Sequence, residues 1–593
     1  MKRDMTDRRS FASAPTQSAR CGQPPAGAVR CVGGLGLAVF ALLFPLCSPC
    51  RAAWPQNDRV FQAMNDELQR SMRGLRMDDL PGPYFVAYGV KEGTQAEIGA
   101  SFGALEVSRV NPFMDVKAVV RVGTYTFDNA NFAANGLNFS ALPGGNASFD
   151  DHYDNLRFTL WSLSDGAYKI ALETLAKKRA FKEKRLITEV FDDYSRERPV
   201  ESFEAISLSS IDLAGWERRI KELSAVFRQY PDIQESHATL NFQTGTARFL
   251  TSEGTAVRGS NTDISINFNV NTQARDGLRV SDARSLHYPS WGDVPSQAVL
   301  EAAARELAQG VADVVHGSTV EAYVGPVLFE GEAAAEFFDV LLVDNISNPR
   351  GAWSESEGSR TYDPPPFVSR LGMRVSVPFL SFVDDPLLER YQGVALFGHY
   401  RIDDEGVPAQ RLELVKKGKL ADLYMSRAPV RERRHSNGHG RASFFGVPSG
   451  RIGNLIVTPA QAVTLAELKD MLRSKCRELE LDYGILVRRM GGLTPISAYK
   501  VRVADGREEP LRGLEFTGTG FRPLRDIVAA SKEMYVFNFF HGSSGWTSVP
   551  ASIVAPSILV QEMEVKKTER KPEKLPYLKH PYFAGKKQAR AAP

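Results

Sequence analysis

Glu332, Glu336 and Asp339 recur at i, i+4 and i+7, which places three carboxylates on one face of a helix. Such a face can meet a metal ion or a cationic peptide. The plainer expectation is a solvated stripe, with Glu332 at a helix start, where negative charge is favoured. His435 and His439 have the i, i+4 spacing of a zinc-binding pair. The intervening Ser436-Asn437-Gly438 predicts a loop, so a shared ion also needs His399 or His541 to be brought close. Asp403-Asp404-Glu405-Gly406 is a dense acidic turn without the alternating ligand spacing of an EF-hand loop. Asp384-Asp385-Pro386 is a second turn, bent by its proline. Ser543 and Ser544 lack the G-x-S-x-G elbow of a serine nucleophile, and no P-loop is present. Cys476 shares a helical face with Leu468, Leu472 and Leu479 and reads as a small core residue.

The chain that positions these groups has 593 residues, 43% hydrophobic and 24% charged. That composition excludes a mainly disordered, collagenous or polytopic membrane protein, and the length predicts about three domains. Net charge is +3, and residues 1–52 hold seven basic and two acidic residues, so the body is slightly acidic. No domain-wide basic excess remains to neutralise phosphates, and no nucleic-acid partner is expected. Arg30, the apolar run Gly33 to Cys47 and the small residues before Ala53 read as a secretory signal over 1–53, too short to span a bilayer. The expectation is an exported chain without stable membrane insertion. Cys21, Cys31, Cys47 and Cys50 fall in that leader, leaving Cys476 alone, with no internal disulfide and no cysteine-based metal cluster.

The fold class expected is α+β, in several domains. In residues 54–225, Asp58 opens a helix with Val60, Phe61, Met64 and Leu68 at helical spacing. Strands follow at 81–90, 97–110 and 115–128, then a helix capped by Asp165 and another over 213–229, giving an α/β layer. Residues 226–317 form a small β-rich module with hairpins over 232–290 and a closing helix whose stripe is Leu300, Ala303, Leu307, Val311 and Val314. Residues 320–565 form the largest, mainly-β unit, a curved sheet or open barrel, with a helix over 464–480 opened by the Thr464/Glu467 capping box. Residues 566–593 are a basic, proline-containing tail.

Four segments of the third unit, in order, carry a family resemblance: Gly325 to Ala335 (GPVLFEGEAAA); Arg401 to Arg411 (RIDDEGVPAQR) with Val415 to Leu420; Ser436 to Ala442 (SNGHGRA) with Pro448 and Arg451 to Asn454; and Ser548 to Val560 (SVPASIVAPSILV). Together they resemble the TldD/PmbA family, the modulator-of-gyrase peptidases, and the Ser252 to Thr255 turn also fits. The resemblance implies one of two subunit types. The TldD type carries His-Glu-x-x-x-His on a helix and is a zinc peptidase; the PmbA type has the same fold without the motif and pairs with the first. Aligned on Pro326 to Phe329, Glu330 takes the place of the first histidine, Gly331 of the glutamate base and Ala335 of the second histidine. The family's third ligand, a cysteine, would fall near His541 to Ser544, where no cysteine stands.

The resemblance therefore implies a PmbA-like subunit with the zinc site lost. It would bind extended peptide in a homo- or hetero-oligomer with a TldD-type subunit and assist that partner's proteolysis. Glu332, Glu336, His439, Arg441 and His541 are the expected peptide or cavity contacts. Two alternatives stay open: an active metallopeptidase rebuilt around Glu330 or His435, His439 and His541, and a standalone envelope scaffold or peptide-binding protein. Export departs from the better-known cytoplasmic members.

Overall fold

The computed structural model describes residues 57–584 except 134–142, 189–190, 356–363, 519, 543–547, 570, 572 and 579. The expected signal and the Ser543-Ser544 pair lie outside the described residues. Helix α1 (Arg59–Gly74) starts as expected: the Asp58 carboxylate accepts from the Phe61 N–H at 3.3 Å, and Val60, Phe61, Met64 and Leu68 are buried. Strands β1 (Pro83–Ser101) and β2 (Ala104–Val122) replace the three shorter strands expected there. They form one long hairpin whose tight turn uses Phe102 (φ +44°) and Gly103 (φ +80°). Two consecutive left-handed residues match the twist of the flanking strands.

Helix α2 (Asp154–Lys184) begins well before Asp165. The Asp151 carboxylate accepts from the N–H groups of Tyr153, Asp154 and Asn155 at 3.0, 3.0 and 2.9 Å, so it holds the helix start. Leu156, Leu160, Ala167, Ala171 and Leu175 continue one buried stripe past Asp165, which pairs instead with Lys169 at 2.6 Å. Helix α3 (Leu213–Ala225) follows, capped by Asp212.

Strands β3 (Glu235–Thr251), β4 (Ala256–Gln273) and β5 (Arg279–Tyr288) then join the first hairpin in one seven-stranded sheet. β1 pairs antiparallel with β3 from Ala87↔Thr251 to Ala100↔Ala238. The sheet therefore runs straight across the expected 225/226 boundary; the α/β layer and the β-rich module share one hydrogen-bonded framework. At its centre Gly93 faces Gly245, and a side chain on Gly93 would sit 2.0 Å from the Thr244 carbonyl oxygen. One face of the sheet is apolar. Val86, Tyr88, Val90 and Val116 pack on α1 and α2, while Ile98, Leu240, Ile266 and Phe268 pack on α3 and on α4 (Gln297–His316). Each large side chain so buried contributes about 1.5–3 kcal/mol. The other face carries a small apolar cluster of Phe85, Ala87 and Tyr194 at one end and is polar around Gln95, Asn241 and Gln243.

The second sheet has eleven strands and is open. Its middle holds β6 (Ala322–Phe329), which runs directly into α5 (Glu332–Phe338). Further strands are β7 (Leu380–Asp384), β8 (Asn454–Pro459), β9 (Tyr483–Gly491), β10 (Thr494–Arg502), β11 (Ile527–His541) and β12 (Val549–Lys567). β12 pairs with β6, β8 and β11. β6 is buried on both faces, which explains its unbroken apolar run: Val327 and Phe329 point to the main core, and Leu328 to helix α6 (Leu465–Glu478) with Leu468, Leu472 and Cys476. The Thr464/Glu467 capping box forms as expected. Leu479 ends that helix exposed rather than buried.

Buried ion pairs tie the two sheets together. The Arg427 guanidinium donates to both Glu253 carboxylate oxygens at 2.7 and 2.9 Å and to the Ser195 carbonyl at 2.6 and 3.1 Å. Asp193 accepts from Arg350 at 2.9 Å and from Lys178 at 2.6 Å. The tail lies over the first sheet: the Glu573 N–H donates to the Gly277 carbonyl at 2.9 Å, and His580, Tyr582 and Phe583 pack on Phe102.

Candidate active-site chamber

β6 passes into α5 through Glu330 and Gly331. Gly331 has φ +58° and ψ −114°, a conformation that penalises any side chain, and its N–H donates to the Ser557 hydroxyl at 3.0 Å. The helix starts only at Glu332. Of the three motif positions expected from sequence, only Ala335 therefore lies within the helix. Glu330 precedes the helix and turns to Arg488 (3.2 Å) and Lys469 (3.5 Å). Ala335 faces the core with no exposed surface. Glu330, Gly331 and Ala335 therefore do not converge. The segment that opens the helix is Gly331-Glu332-Ala333-Ala334-Ala335-Glu336, one residue later, in which Glu332 and Glu336 have the spacing of the motif's glutamate and second histidine.

Glu332 and Glu336 are half-buried, not a solvated stripe. The Tyr535 hydroxyl donates to Glu332 at 3.4 Å, and the Met490 N–H donates to Glu336 at 2.6 Å. Burial pushes both carboxyls up, and the nearby Arg489 pulls them back in part. Glu336, which also feels the Glu332 charge, is pushed up to about 9, so it carries a proton at neutral pH. Arg489 comes from β9 and forms an ion pair with Asp282 of β5. Burial pushes Asp282 up to about 6 even so. Arg284 pairs with Glu306 of α4 at 2.5 Å and also acts on Glu332. The first sheet thus reaches α5 through Asp282, which pairs with Arg489, and through Arg284.

His541, at the end of β11, is buried, and its Nδ1 lies 3.0 Å from Asp339 Oδ1 and its Nε2 3.9 Å from Asp344. Burial, then Asp339, raises Asp344 to about 6. His541 therefore joins the helix carboxylates. His439 and Arg441 do not. His439 is fully buried, its Nδ1 3.1 Å from the Asn437 carbonyl oxygen and its Nε2 3.4 Å from Asp384. Arg441 is buried, donates to the Ile452 and Pro550 carbonyls at 2.8 and 2.6 Å and lies over the Tyr400 ring. Both brace loops. His435 is exposed beside Glu197 at 3.5 Å, and His399 contacts the Pro386 carbonyl at 2.9 Å, so these imidazoles serve separate partners. The acidic turns are structural as expected. Asp403 accepts from the N–H groups of Glu405, Val407 and Gly440. Asp384 accepts from the Tyr424 hydroxyl at 2.8 Å and from the Gly453 and Asn454 N–H groups at 3.0 Å.

Zinc needs neutral imidazoles, thiolates or carboxylates converging with one open position. Here Gly331 offers no side-chain donor, Glu336 already accepts from the Met490 N–H, and the Arg489 charge acts on both glutamates. His541 is engaged by Asp339. The residues present do not fit that ion. Among the described residues no three His, Cys, Asp or Glu side chains are grouped to hold a metal. Arg489, Arg284, Asp282 and Tyr535 carried no motif in the sequence; only strand pairing brings them to α5.

Residues 322–567 match the model of the PmbA/TldA metallopeptidase C-terminal domain. A metalloprotease of Synechocystis sp. is 24% identical over 343 residues, covering 56% of this chain and 69% of that protein. A TldD-homologous metalloprotease of Haemophilus influenzae is 26% identical over 215 residues, covering 34% of this chain and 41% of that protein. Among solved structures, TldE of Thermococcus kodakarensis matches with a TM-score of 0.52 at 13% identity, covering 85% of this chain and 99% of that one. A Thermotoga maritima protein described as a modulator of DNA gyrase matches with a TM-score of 0.52 at 15% identity, covering 81% and 96%. These two likenesses cover more of the chain than residues 322–567.

Proposed function

The chain belongs to the TldD/PmbA family of metallopeptidase-related proteins, and from that premise we propose that it is a zinc-less, PmbA-like subunit that binds extended peptide and assists proteolysis by a metal-bearing partner. The observation that carries the reading is the chemistry of α5. Gly331 brings no side-chain donor to the start of α5, in a backbone conformation that disfavours any replacement, and the positive charge of Arg489 acts on both Glu332 and Glu336. Such a chamber suits binding. Tyr535, protonated Glu336 and Arg489 offer donors to peptide carbonyls, and Glu332 offers an acceptor to peptide N–H groups. Strands of the second sheet add main-chain pairing to an extended chain. The secretory signal expected over 1–53 supports a place for this work in the periplasm or cell envelope.

A second reading is favoured by one feature: Glu332 keeps a carboxylate in the base position, with Glu336, Asp339 and His541 nearby. A rebuilt peptidase would use these rather than Glu330, His435 and His439. The two readings separate in a reconstitution. The purified chain, alone and with a TldD-type subunit carrying the complete motif, is given an unfolded peptide substrate. The proposal expects binding but no cleavage by the isolated chain, and faster cleavage when both subunits are present. Chelator-sensitive cleavage by the isolated chain would favour the rebuilt site. Peptide binding with no association to any such partner would leave a standalone envelope binding protein.

A further inference from the structure

The polar face of the first sheet forms the floor of a cleft of about 820 Å³, closed at one side by Phe539 and Phe540 of β11. Strand register builds its floor from cross-strand rows. In one row Asn111, Gln95, Gln243 and Asp263 lie opposite one another on β2, β1, β3 and β4. The next holds Arg109, Glu97, Asn241, Ser265 and His287. Beyond it Asn267 faces Ser285. The carboxamides of Gln95, Asn111, Asn241 and Asn267 have no hydrogen-bond partner among the described residues.

The charged groups of this cleft are offset: burial pushes the Asp263 carboxyl up, and Lys91, which donates to Gln243 at 2.9 Å, supplies the opposite charge. Glu97 is paired with Arg109 at 2.8 Å, and His287, held to the Ser265 hydroxyl at 2.7 Å, is kept neutral by burial, which lowers it to about 4. An uncharged ligand is therefore favoured. Each unpaired carboxamide offers one acceptor and two donors, the complement of a peptide amide. Outward side chains on a strand recur every two residues, roughly 6.6–6.8 Å, and an extended peptide repeats at the same interval. A peptide running along β3 and β4 would thus meet Gln243 and Asn241, or Ser265 and Asn267, in step with its own main chain. The cleft also adjoins the chamber in the chain: Phe539 and Phe540 immediately precede His541.

We infer that this cleft is a subsite for an uncharged, extended peptide segment, gripped through its main-chain amides by Gln95, Asn241 and Asn267, with Phe540 providing an apolar contact at the rim. The inference rests on the peptide-binding reading above and adds where the peptide lies and which peptides are preferred. The test is fluorescence anisotropy with a labelled, end-blocked peptide of Val, Thr, Ser and Gln, a Lys/Glu-rich peptide of the same length, and a neutral cello-oligosaccharide as competitor. The variants are Asn241→Leu/Asn267→Leu and, separately, Gln95→Leu, whose side chain is exposed and leaves the fold intact. The expected result is preference for the uncharged peptide, with affinity falling about fivefold per carboxamide removed, the worth of one hydrogen bond. Uncharged peptide held equally well by wild type and all variants would overturn the subsite while leaving the broader reading intact. A chain that binds no peptide at all removes both. Variant-sensitive competition by the oligosaccharide without peptide binding would assign the cleft to a glycan and overturn the inference.

Discussion

Replacing Arg427 with methionine tests whether the two sheets are held as one body by a buried cation. Arg427 is 2% exposed. Its guanidinium makes two charged hydrogen bonds to Glu253 and two to the Ser195 carbonyl, and its own N–H donates to Glu405 at 2.5 Å. A charged hydrogen bond contributes about 1.5–3 kcal/mol, and these four share one group, so they do not add. Breaking a buried pair and leaving the carboxylate behind costs about 3–5 kcal/mol. Methionine keeps most of the apolar stem, so Arg427→Met should cost about 4 kcal/mol. Hydrogen exchange at the Ser195 amide, which donates to the Arg427 carbonyl at 2.7 Å, reads that cost locally. Adding Glu253→Gln removes the orphaned charge, so the double variant should be less damaged than the sum of the singles. A loss below about 1 kcal/mol, or strict additivity, would refute the clamp.

Glu336→Gln probes the chamber. A carboxyl raised to about 9 gives its full stabilisation below its ordinary range near 4.5 and loses it as pH rises through 9. Glutamine cannot ionise, so the melting temperature of the variant relative to wild type should climb between pH 5 and pH 9 in thermal scans; a flat difference would contradict the assignment. Asp384→Ala removes the acceptor of Tyr424, Gly453 and Asn454 and should cost about 3 kcal/mol or more by urea denaturation. Cys476 is fully buried and its thiol is pushed up by burial, so a thiol reagent should modify it only at the rate of unfolding; rapid reaction of the native protein would contradict its core placement.

What the sequence disclosed was local. Asp58 and the Thr464/Glu467 box mark helix starts through short-range bonds, and the apolar run Val327 to Phe329 follows from burial on both faces of one strand. What it hid was non-local. The pairing of β1 with β3 joins distant segments whose patterns say only that each is a strand, so the 225/226 boundary had no reason to look like the interior of a sheet. The motif register depended on where β6 stops. The left-handed turn at Gly331 decides that Glu332 and Glu336, rather than Glu330 and Ala335, face the chamber. Arg427 and Arg489 belong to no spacing at all; each finds its partner only because Glu253 or Asp282 arrives from the other sheet. His439 and Arg441 mislead in the opposite way, since a motif-like Gly-His-Gly-Arg run turns out to brace buried loops.

The central claim is that Arg489 of β9 and the carboxyls of α5 face peptide rather than forming a ligand set for zinc. Metal content of the full chain decides it: the protein is purified without chelators, dialysed against metal-free buffer and assayed for zinc by atomic absorption, with a histidine-motif relative processed in parallel. The account predicts zinc far below one ion per chain while the relative retains its own. One tightly held zinc per chain, lost on Glu336→Ala or His541→Ala, would contradict it.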